Sequence, residues 1–269
     1  MSATAPLTAF VDGIGVLGPG ITDWIAAARM LRCEAPWQSA PTVLPAPQSL
    51  PSAERRRTGA PVRLSLAVGL EATSRAGVDP VRLPAVFTSS GGDGYNCHEI
   101  CQVLASQDRQ VSPTRFHNSV HNAASGYWGI ATGATAACNA LCAYDASFGA
   151  GLLEALVQLV IESTAVLLIA YDTGYPEPLY RARPIPDAFG VALVLSPSRG
   201  AASLARLSAV PSTGPADGLA HAGLEGLRRS IPAARSLPLL ELLARGQSGR
   251  AAIDYLEETT VGVEVSPCP

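Results

Sequence analysis

The sequence predicts an α/β fold in which helices cover both faces of a sheet. Strand-like and helix-like segments alternate along most of the chain, which favours layers of helix, sheet and helix. Hydrophobic residues make up 48% of the chain and aromatic residues only 6%, so a core of small and aliphatic side chains is expected. At 269 residues, the expected organisation is one large domain or two closely packed halves.

Periodicity predicts the elements of the first half of the chain. Runs of β-branched and apolar residues predict strands, and apolar residues three or four apart predict helices. A proline-rich connector over residues 36–51 is long for a loop inside a domain and is expected to be a surface excursion. The predicted elements are a strand Thr8–Leu17, a helix Asp23–Met30 capped by Thr22, a helix Val62–Ala76 ended by Gly77, a strand Leu83–Ser89, and helices Tyr95–Gln107 and Val120–Thr132.

The second half of the chain continues the alternation. A helix over Phe148–Glu162 has only a narrow polar stripe, so we expect it to be covered nearly all round. Strands over Gly190–Leu195 and Ala202–Leu207 are expected to pair with each other as an antiparallel hairpin. The remaining predicted elements are strands Cys138–Tyr144, Val166–Tyr171 and Thr260–Val265, and helices Gly218–Arg229, Leu237–Arg245 and Ala251–Leu256.

Charge and hydropathy exclude several classes of function. The formal net charge is −3 and the longest basic run is Arg55–Arg57, so nucleic-acid binding is not expected. Residues 1–10 carry neither a basic start nor a long apolar run, which predicts that there is no signal peptide. The most apolar segment, Leu152–Tyr171, is interrupted by Glu154 and Glu162, so no membrane span is expected. These features predict a cytoplasmic protein.

Six cysteines include two Cys-x3-Cys pairs, at Cys97 and Cys101 and at Cys138 and Cys142. On a helix this spacing places both thiols on one face, which permits a four-sulfur zinc site. Zinc sites more often use Cys-x2-Cys turns, and both pairs lie among apolar residues. We therefore expect buried free thiols and no bound metal.

An uncharged stretch from Ser119 to Tyr144 ends at Asp145, where a strand passes into a long apolar helix. A strand that ends abruptly at a helix N-terminus is a common way to present a nucleophile. Here the residues presented are Asp145 and then Ala146. The pattern predicts the architecture of an active site without its chemistry.

Two other motifs suggest enzymes. Gly13-x-Gly15-x-x-Gly18 matches a dinucleotide fingerprint, but Pro19 would disrupt the helix that should follow, so no cofactor is expected. Residues 145–149 are close to a Gly-x-Ser-x-Gly elbow, and Ser147, Asp172 and His221 follow the chain order of a hydrolase triad. Helix capping by Asp145 or Ser147, and an ordinary helix start at His221, are the favoured interpretation.

A polar cluster lies at the start of the uncharged stretch; it consists of His117, Asn118, His121 and Asn122. Histidines four residues apart can share a helix face as metal ligands, but no third ligand is evident. Satisfied histidines in the core or at an interface are the favoured interpretation.

Several segments together resemble a known family. Phe116–Asn122, Ser125–Trp128, Phe148–Ala155 and Val86–Gly92 resemble the β-ketoacyl synthase N-terminal half of the thiolase superfamily. More narrowly, the chain is similar to the short ketosynthase-like chain length factors of aryl polyene and xanthomonadin-type pigment clusters. The resemblance covers about residues 7–195. It implies a thiolase-like layered α-β-α fold, with a ketosynthase N-terminal-like half at 1–195 and a shortened, degenerate C-terminal half at 196–269 packed on it.

The resemblance also implies that catalysis is lost. Active ketosynthases carry Thr-Ala-Cys at the elbow, and an ungapped comparison places Tyr144 and Asp145 at the Ala-Cys pair; a shift of one residue places Ala146 at the cysteine. Active members also supply two histidines from the C-terminal half. Residues 196–269 contain only His221. The resemblance therefore implies a subunit without catalytic residues of its own.

A partner follows from the same resemblance. The chain is expected to pair, as a heterodimer or heterotetramer, with an active β-ketoacyl-[acyl-carrier-protein] synthase and to shape the pocket in which a polyene or polyketide grows on an acyl carrier protein. The small-residue stretch Ser119–Cys142 suits such a contact. The expected pocket or interface residues are His117, Asn118, His121, Asn122, Tyr127, Trp128, Asp145 and Phe148. The alternatives are a stand-alone acyl hydrolase or acyltransferase that uses Ser147 or Cys142, and a scaffold unrelated to acyl chains.

Overall fold

The computed structural model describes residues 5–269. Residues 1–4, which belong to the segment where no signal peptide is expected, lie outside the described residues. The strands are β1 (Leu7–Leu17), β2 (Ala85–Thr88), β3 (Cys138–Leu141), β4 (Val166–Asp172), β5 (Phe189–Ser196), β6 (Ala205–Thr213), β7 (Gly249–Leu256) and β8 (Thr259–Pro267). The helices are α1 (Trp24–Leu31), α2 (Ser52–Arg55), α3 (Ala60–Ala76), α4 (Gly94–Ala105), α5 (Pro113–His117), α6 (Ala123–Thr132), α7 (Ser147–Glu162), α8 (Leu179–Ala182), α9 (Ala222–Ser230) and α10 (Leu237–Arg245).

All eight strands form one mixed sheet, in the order β3-β2-β4-β5-β1-β6-β8-β7. β2 pairs parallel with β3 and β4, and the other pairs are antiparallel. β3 and β7 are the two edge strands. The predicted α/β class and layered architecture are confirmed.

Helices cover both faces of the sheet. On one face α3 and α6 pack on the strands, with Trp128 and Leu64 among the fully buried side chains. On the other face α1, α7, α9 and α10 form the larger core around Phe148 and Leu156. Because both faces are covered, every residue of β4 is buried, as the continuous apolar run of this strand predicts.

Gly13 and Gly15 lie within β1, where α3 crosses the sheet. A Cβ at Gly15 would lie 2.0 Å from the carbonyl oxygen of Val68, and one at Gly13 would lie 2.2 Å from that of Ala72. No side chain fits these gaps, so glycine allows the backbone of α3 to approach the strand. The glycine motif therefore serves helix–sheet packing, which agrees with our rejection of a dinucleotide site.

The helix caps agree with the sequence in one case and correct it in another. Gly77 ends α3 in the left-handed conformation, with φ 66°, as predicted. The N-cap of α1 is Asp23 rather than Thr22, since its carboxylate accepts from the amide of Ala26 at 2.9 Å. Thr22 instead donates its hydroxyl to the Asp23 carboxylate at 3.0 Å.

Two predictions for the second half are wrong. β5 and β6 do not form a hairpin, because β1 lies between them and pairs with both. The segment predicted as a helix, Ala251–Leu256, is strand β7. Its burial alternates, with Ala251 and Ile253 inside, and it forms a hairpin with β8. The short helix α5 was not predicted.

One helical stretch, Tyr144–Glu162, is long and apolar enough to cross a membrane by length and composition alone. Within its most apolar window, 44% of the residues are buried inside the protein. Phe148, Leu152 and Leu159 of this helix lie in the core beneath the sheet. A core position accounts for the apolar residues of one side of the helix, but the predicted coverage nearly all round is wrong, since Val157, Val160 and Ile161 are exposed.

Candidate functional site

The strand-to-helix elbow between β3 and α7 is formed as predicted. A 3₁₀ turn over Tyr144–Ala146 joins the two elements, and Tyr144 has the left-handed φ of 52° that a side chain adopts only under constraint. The Ser147 hydroxyl fixes the turn by donating to the carbonyl of Tyr144 at 2.7 Å and accepting from the amide of Ala143 at 3.0 Å. The elbow is thus a rigid and strained turn with an exposed tyrosine at its tip.

The Asp145 carboxylate is held by two arginines. Arg183 donates to its Oδ1 at 2.6 Å, and Arg235 donates to its Oδ2 at 3.0 Å. The Arg183 guanidinium also lies over the ring of Tyr144, 3.6 Å from its centroid. Because both carboxylate oxygens accept from cations, Asp145 acts as an ionic link between two arginines, and these contacts lower the nucleophilicity of a group that already reacts poorly with thioesters.

The same ion pairs tie the elbow to the C-terminal part of the chain. Arg235 also binds Asp254 of β7 at 2.7 Å, and Arg228 of α9 lies 3.3 Å from the second oxygen of Asp254. Arg228 in turn binds Glu225 at 2.8 Å, and this hydrogen bond is the main cause that lowers the pKa of the Glu225 carboxyl to about 2. A chain of alternating charges therefore runs from the elbow to α9.

The predicted hydrolase triad is not assembled. Ser147 is buried and its hydroxyl is used by the turn. His221 caps α9, where its Nδ1 accepts from the amide of Leu224 at 3.3 Å, which confirms the helix-start interpretation. The third member, Asp172, binds other groups. The stand-alone hydrolase alternative is not supported by this geometry.

Asp172 is fully buried at the end of β4, beside the loop that follows β2. Its Oδ1 accepts from the Ser90 hydroxyl at 2.6 Å and the Ser90 amide at 2.8 Å, and its Oδ2 accepts from the Ala233 amide at 2.8 Å. Burial raises the pKa of Asp172 to about 6 in spite of these hydrogen bonds, because the donors are neutral and the nearest cation, Arg183, compensates only in part. This carboxyl connects β2, β4 and the 3₁₀ turn Pro232–Ser236.

Cys142, the other predicted alternative nucleophile, is exposed just before the elbow. Its thiol lies 3.2 Å from the carbonyl of Ser90, and no hydrogen bond joins its sulfur to a histidine within residues 5–269. His121 instead places its Nε2 at 3.2 Å from the carbonyl of Ser89. A thiol without a base in contact lacks the activation that a cysteine nucleophile needs.

The predicted polar cluster is only partly brought together. Asn118 is buried, donates to the carbonyl of Arg57 at 2.7 Å and accepts from the hydroxyl of Tyr127 at 3.2 Å. His117 is exposed and lies edge-on to the Tyr127 ring at 6.2 Å, and Asn122 is also exposed. Among the described residues, no group of three possible metal ligands is found.

Three predicted pocket or interface residues lie in the core instead. Tyr127 and Trp128 belong to α6 and are buried on the side of this helix that packs into the core. Trp128 contacts Gly69 of α3 and the ring of Phe87. Phe148 is buried on the opposite face of the sheet. Their side chains stabilise the fold and do not reach an open surface; their role at a pocket or interface stays a prediction.

The elements at the β3 edge expose an unusual number of apolar side chains and thiols. α4 and α5 are joined by an ion pair between Arg115 and Glu99 at 2.8 Å, and α6 packs against β3. We call the exposed side chains of these elements the β3 face. They are Tyr95, Cys97, Cys101 and Leu104 on α4, Phe116 on α5, Val120 in the following turn, Ile130 on α6, and Cys138 on β3.

The prediction of buried thiols is therefore wrong: five of the six cysteines are exposed and the sixth, Cys268, is partly so. We predicted burial because the residues next to these cysteines in the sequence are apolar. α4 and β3 lie at the edge of the fold, so several of these apolar residues are exposed together with the thiols. Cysteine is among the residue types most often buried, so the exposed thiols of Cys97, Cys101 and Cys138 are an unusual feature of the β3 face.

Two residues that hold the elbow were not identified from the sequence. They are Arg183 and Arg235, the two partners of Asp145. Isolated arginines 38 and 90 residues away from Asp145 carry no local signal. The available clue was the strand-to-helix junction itself, where a strained residue is expected.

The fold and the elbow together define a thiolase-like layered protein. Among the described residues, 5–269, the elbow presents no side chain that is activated as a nucleophile. The chain belongs to the β-ketoacyl synthase family, since the model of the β-ketoacyl synthase N-terminal domain matches residues 28–247. None of the curated proteins matches the sequence.

Solved structures of the same fold cover nearly the whole chain. The ketosynthase (ApeO) in complex with its chain length factor (ApeC) from Xenorhabdus doucetiae matches with a TM-score of 0.73 and 24% identity, over 96% of this chain and 99% of that chain. The ishigamide ketosynthase/chain length factor matches with a TM-score of 0.72 and 14% identity, over 97% and 100%. The AntDE:AntF complex is a type II acyl-carrier protein with its hexaketide-bound ketosynthase. It matches with a TM-score of 0.76 and 12% identity, over 98% of this chain and 100% of that chain. At these identities the likeness establishes the fold.

Proposed function

We propose that this chain is a chain length factor, a non-catalytic subunit that pairs with an active β-ketoacyl-[acyl-carrier-protein] synthase and shapes the pocket in which its product grows. The observation that carries the proposal is the elbow. The turn that would present a nucleophile is kept in its strained form, yet it presents Tyr144, Asp145 and Ala146, and the carboxylate is neutralised by two arginines. A scaffold retained without its chemistry is what a partner subunit needs.

The β3 face supports a partner of the same fold. An edge strand offers unpaired backbone groups, and α6, which packs against it, exposes Ile130 (49% exposed); Phe116 (71%) and Val120 (53%) are exposed just before that helix. The tip of the elbow, Tyr144, is also exposed, at 62%, beside this edge. Pairing through this face would cover the apolar side chains and thiols and would bring the elbow to the partner's pocket.

The structural relatives support the kind of partner. Two are complexes of a ketosynthase with a chain length factor, and a third contains an acyl carrier protein with its ketosynthase. We extend this to a heterodimer or heterotetramer in the cytoplasm, to which the acyl carrier protein binds through the complex. The predicted site residues then have different roles: Asp145 holds the elbow, whereas Tyr127, Trp128 and Phe148 belong to the cores on the two faces of the sheet.

Co-purification tests the pairing. The tagged chain is co-expressed with each ketosynthase of its own organism, as the unaltered protein and as two matched variants. Phe116→Asp places a charge on the β3 face, whereas Leu256→Asp places the same charge at an equally open position (61% exposed) on the far edge strand β7. We expect a ketosynthase to co-purify with the unaltered chain and with Leu256→Asp but not with Phe116→Asp. A soluble monomer that never retains a ketosynthase would contradict the proposal.

A further inference from the structure

A large cavity lies away from the elbow, between the end of β1, α1, α3 and the proline-rich connector. Its volume is about 1210 Å³. The inner wall includes Ala67 and Leu70 of α3, which are partly exposed, and Ile25 and Val43 lie at its open side. Cavities of this size with apolar walls and a few polar groups are typical of small-molecule sites.

The connector holds the cavity open. We call residues 36–49 the arch. It is tied to the body at several points: the Trp37 indole donates to the carbonyl of Pro19 at 2.9 Å, the carbonyl of Ala40 accepts from Gly20 at 2.9 Å, and the Thr42 hydroxyl donates to the carbonyl of Ala188 at 2.7 Å. Proline restricts the backbone, so a segment this rich in proline resists collapse onto the apolar wall.

The charges around the cavity favour an anion. Its two carboxylates are already satisfied. Glu71 accepts from two backbone amides and from Arg75 at 2.9 Å, and Asp23 caps α1. Arg63 donates only to carbonyl oxygens of the arch. Arg29 is exposed, and within residues 5–269 its side chain has no ion pair or hydrogen bond. Two arginines without a carboxylate therefore lie at an apolar cavity.

We infer that this cavity binds an amphipathic anion, a linear apolar chain with a carboxylate or phosphate head. The chain would lie against the aliphatic wall, and the head would be held by Arg29 and Arg63 at the arch. This site is separate from the elbow and the β3 face and does not depend on the proposed function. Free acids and phosphate esters share the recognised chemistry, so both are used as probes.

Binding is measured by calorimetry and by tryptophan fluorescence, with Trp37 as the reporter in the arch. The probes are decanoate, decyl phosphate and the neutral 1-decanol, all kept below the concentrations at which they aggregate. We expect saturable binding of one decanoate or decyl phosphate per chain, and binding of decanol at least about tenfold weaker, since a charge-assisted hydrogen bond is lost. Preference for one of the two anions would identify the natural head group.

Matched variants locate the site. Arg29→Glu and Val43→Asp alter exposed positions at the cavity, so neither is expected to unfold the chain; each should weaken decanoate binding about tenfold or more. Arg181→Ala removes an exposed arginine that does not line the cavity and should leave binding unchanged. Absence of saturable binding, or equal affinity for decanol and decanoate, would overturn the inference. Loss of decanoate binding in the ketosynthase complex would assign the cavity to a segment of the partner and would also overturn it.

Discussion

At the scale of single residues, the elbow shows how a catalytic turn can become a structural joint. The sequence identifies Asp145 as the odd residue of an uncharged stretch, and the structure gives the reason for its charge: it neutralises Arg183 and Arg235, which are 15% and 20% exposed. Tyr144 takes the strained position, and the stacked guanidinium of Arg183 holds its ring. The elbow is thus held by long-range ionic contacts that no local sequence pattern could reveal.

Removing the charge of Asp145 should loosen this joint. In Asp145→Asn the two arginines lose their anionic partner, and we expect a loss of about 1–2 kcal/mol of unfolding free energy. Glu241→Gln is the control, because it removes an exposed pair with Arg245 on α10 that is worth only about 0.5 kcal/mol or less. Thermal melts of both variants at low salt measure the difference. Equal shifts in Tm would show that Asp145 is no more than a surface charge.

Asp172 should make stability depend on pH. Its pKa is raised by burial to about 6, so the folded state binds the proton more tightly than the unfolded state does. The contribution of the protonated carboxyl is present below the unfolded pKa, near 4, and is lost as the pH rises through about 6. The loss is at most about 1.4 kcal/mol per pH unit in this window.

Denaturant titrations at several pH values between 4 and 7 test this contribution against Asp172→Asn. We expect the difference in unfolding free energy between the two proteins to change across the window, in favour of the variant as the pH rises. The variant also loses hydrogen bonds from Ser90 and Ala233, so only the pH dependence of the difference is diagnostic. A difference that stays constant from pH 4 to 7 would contradict the raised pKa.

At the scale of elements, alternating patterns predicted most of the sheet and failed where pairing over long distances decided the outcome. β1, α3 and α7 appear where periodicity places them. β7 was predicted as a helix, although Ile253 and Tyr255 favour strands, and its pairing with β8 stabilises the extended form. The sequence could not show that β5 and β6 are not paired as a hairpin, because β1, the strand that lies between them in the sheet, comes from near the N-terminus.

The contact between β1 and α3 is expected to be intolerant of any side chain at Gly15. In Gly15→Ala the new Cβ would overlap the Val68 carbonyl, so α3 must shift, at a cost of about 1–3 kcal/mol. Gly126→Ala on α6 is the matched control: no atom lies within 4 Å of its Cβ position, and alanine should stabilise the helix by about 0.5–1 kcal/mol. Urea midpoints that fall for both variants would contradict this account of the glycine motif.

At the scale of the whole molecule, the predicted division near residue 195 falls at the end of β5, and β6, β8 and β7 continue the same sheet. The C-terminal part therefore does not add a second sheet among the described residues; it extends the first and supplies Arg235 and Asp254 to the elbow. The fold class was predictable, because the alternation of strand-like and helix-like segments is visible in the sequence. The β3 face and the arch cavity were not, since exposure and cavities depend on which elements become neighbours.

The central claim is that this chain contributes no nucleophile to the proposed complex with a ketosynthase. Elongation is therefore measured with the purified complex, malonyl-loaded acyl carrier protein and an acyl starter, for Cys142→Ala and Ser147→Ala in this chain and for a complex whose ketosynthase lacks its own nucleophile. Melting curves confirm that each variant is folded, since the Ser147 hydroxyl also holds the turn. The account predicts full elongation by both variants of this chain and none by the complex with the inactive ketosynthase. Elongation that is lost in a folded Cys142→Ala or Ser147→Ala complex, or that persists without the partner's nucleophile, would contradict it.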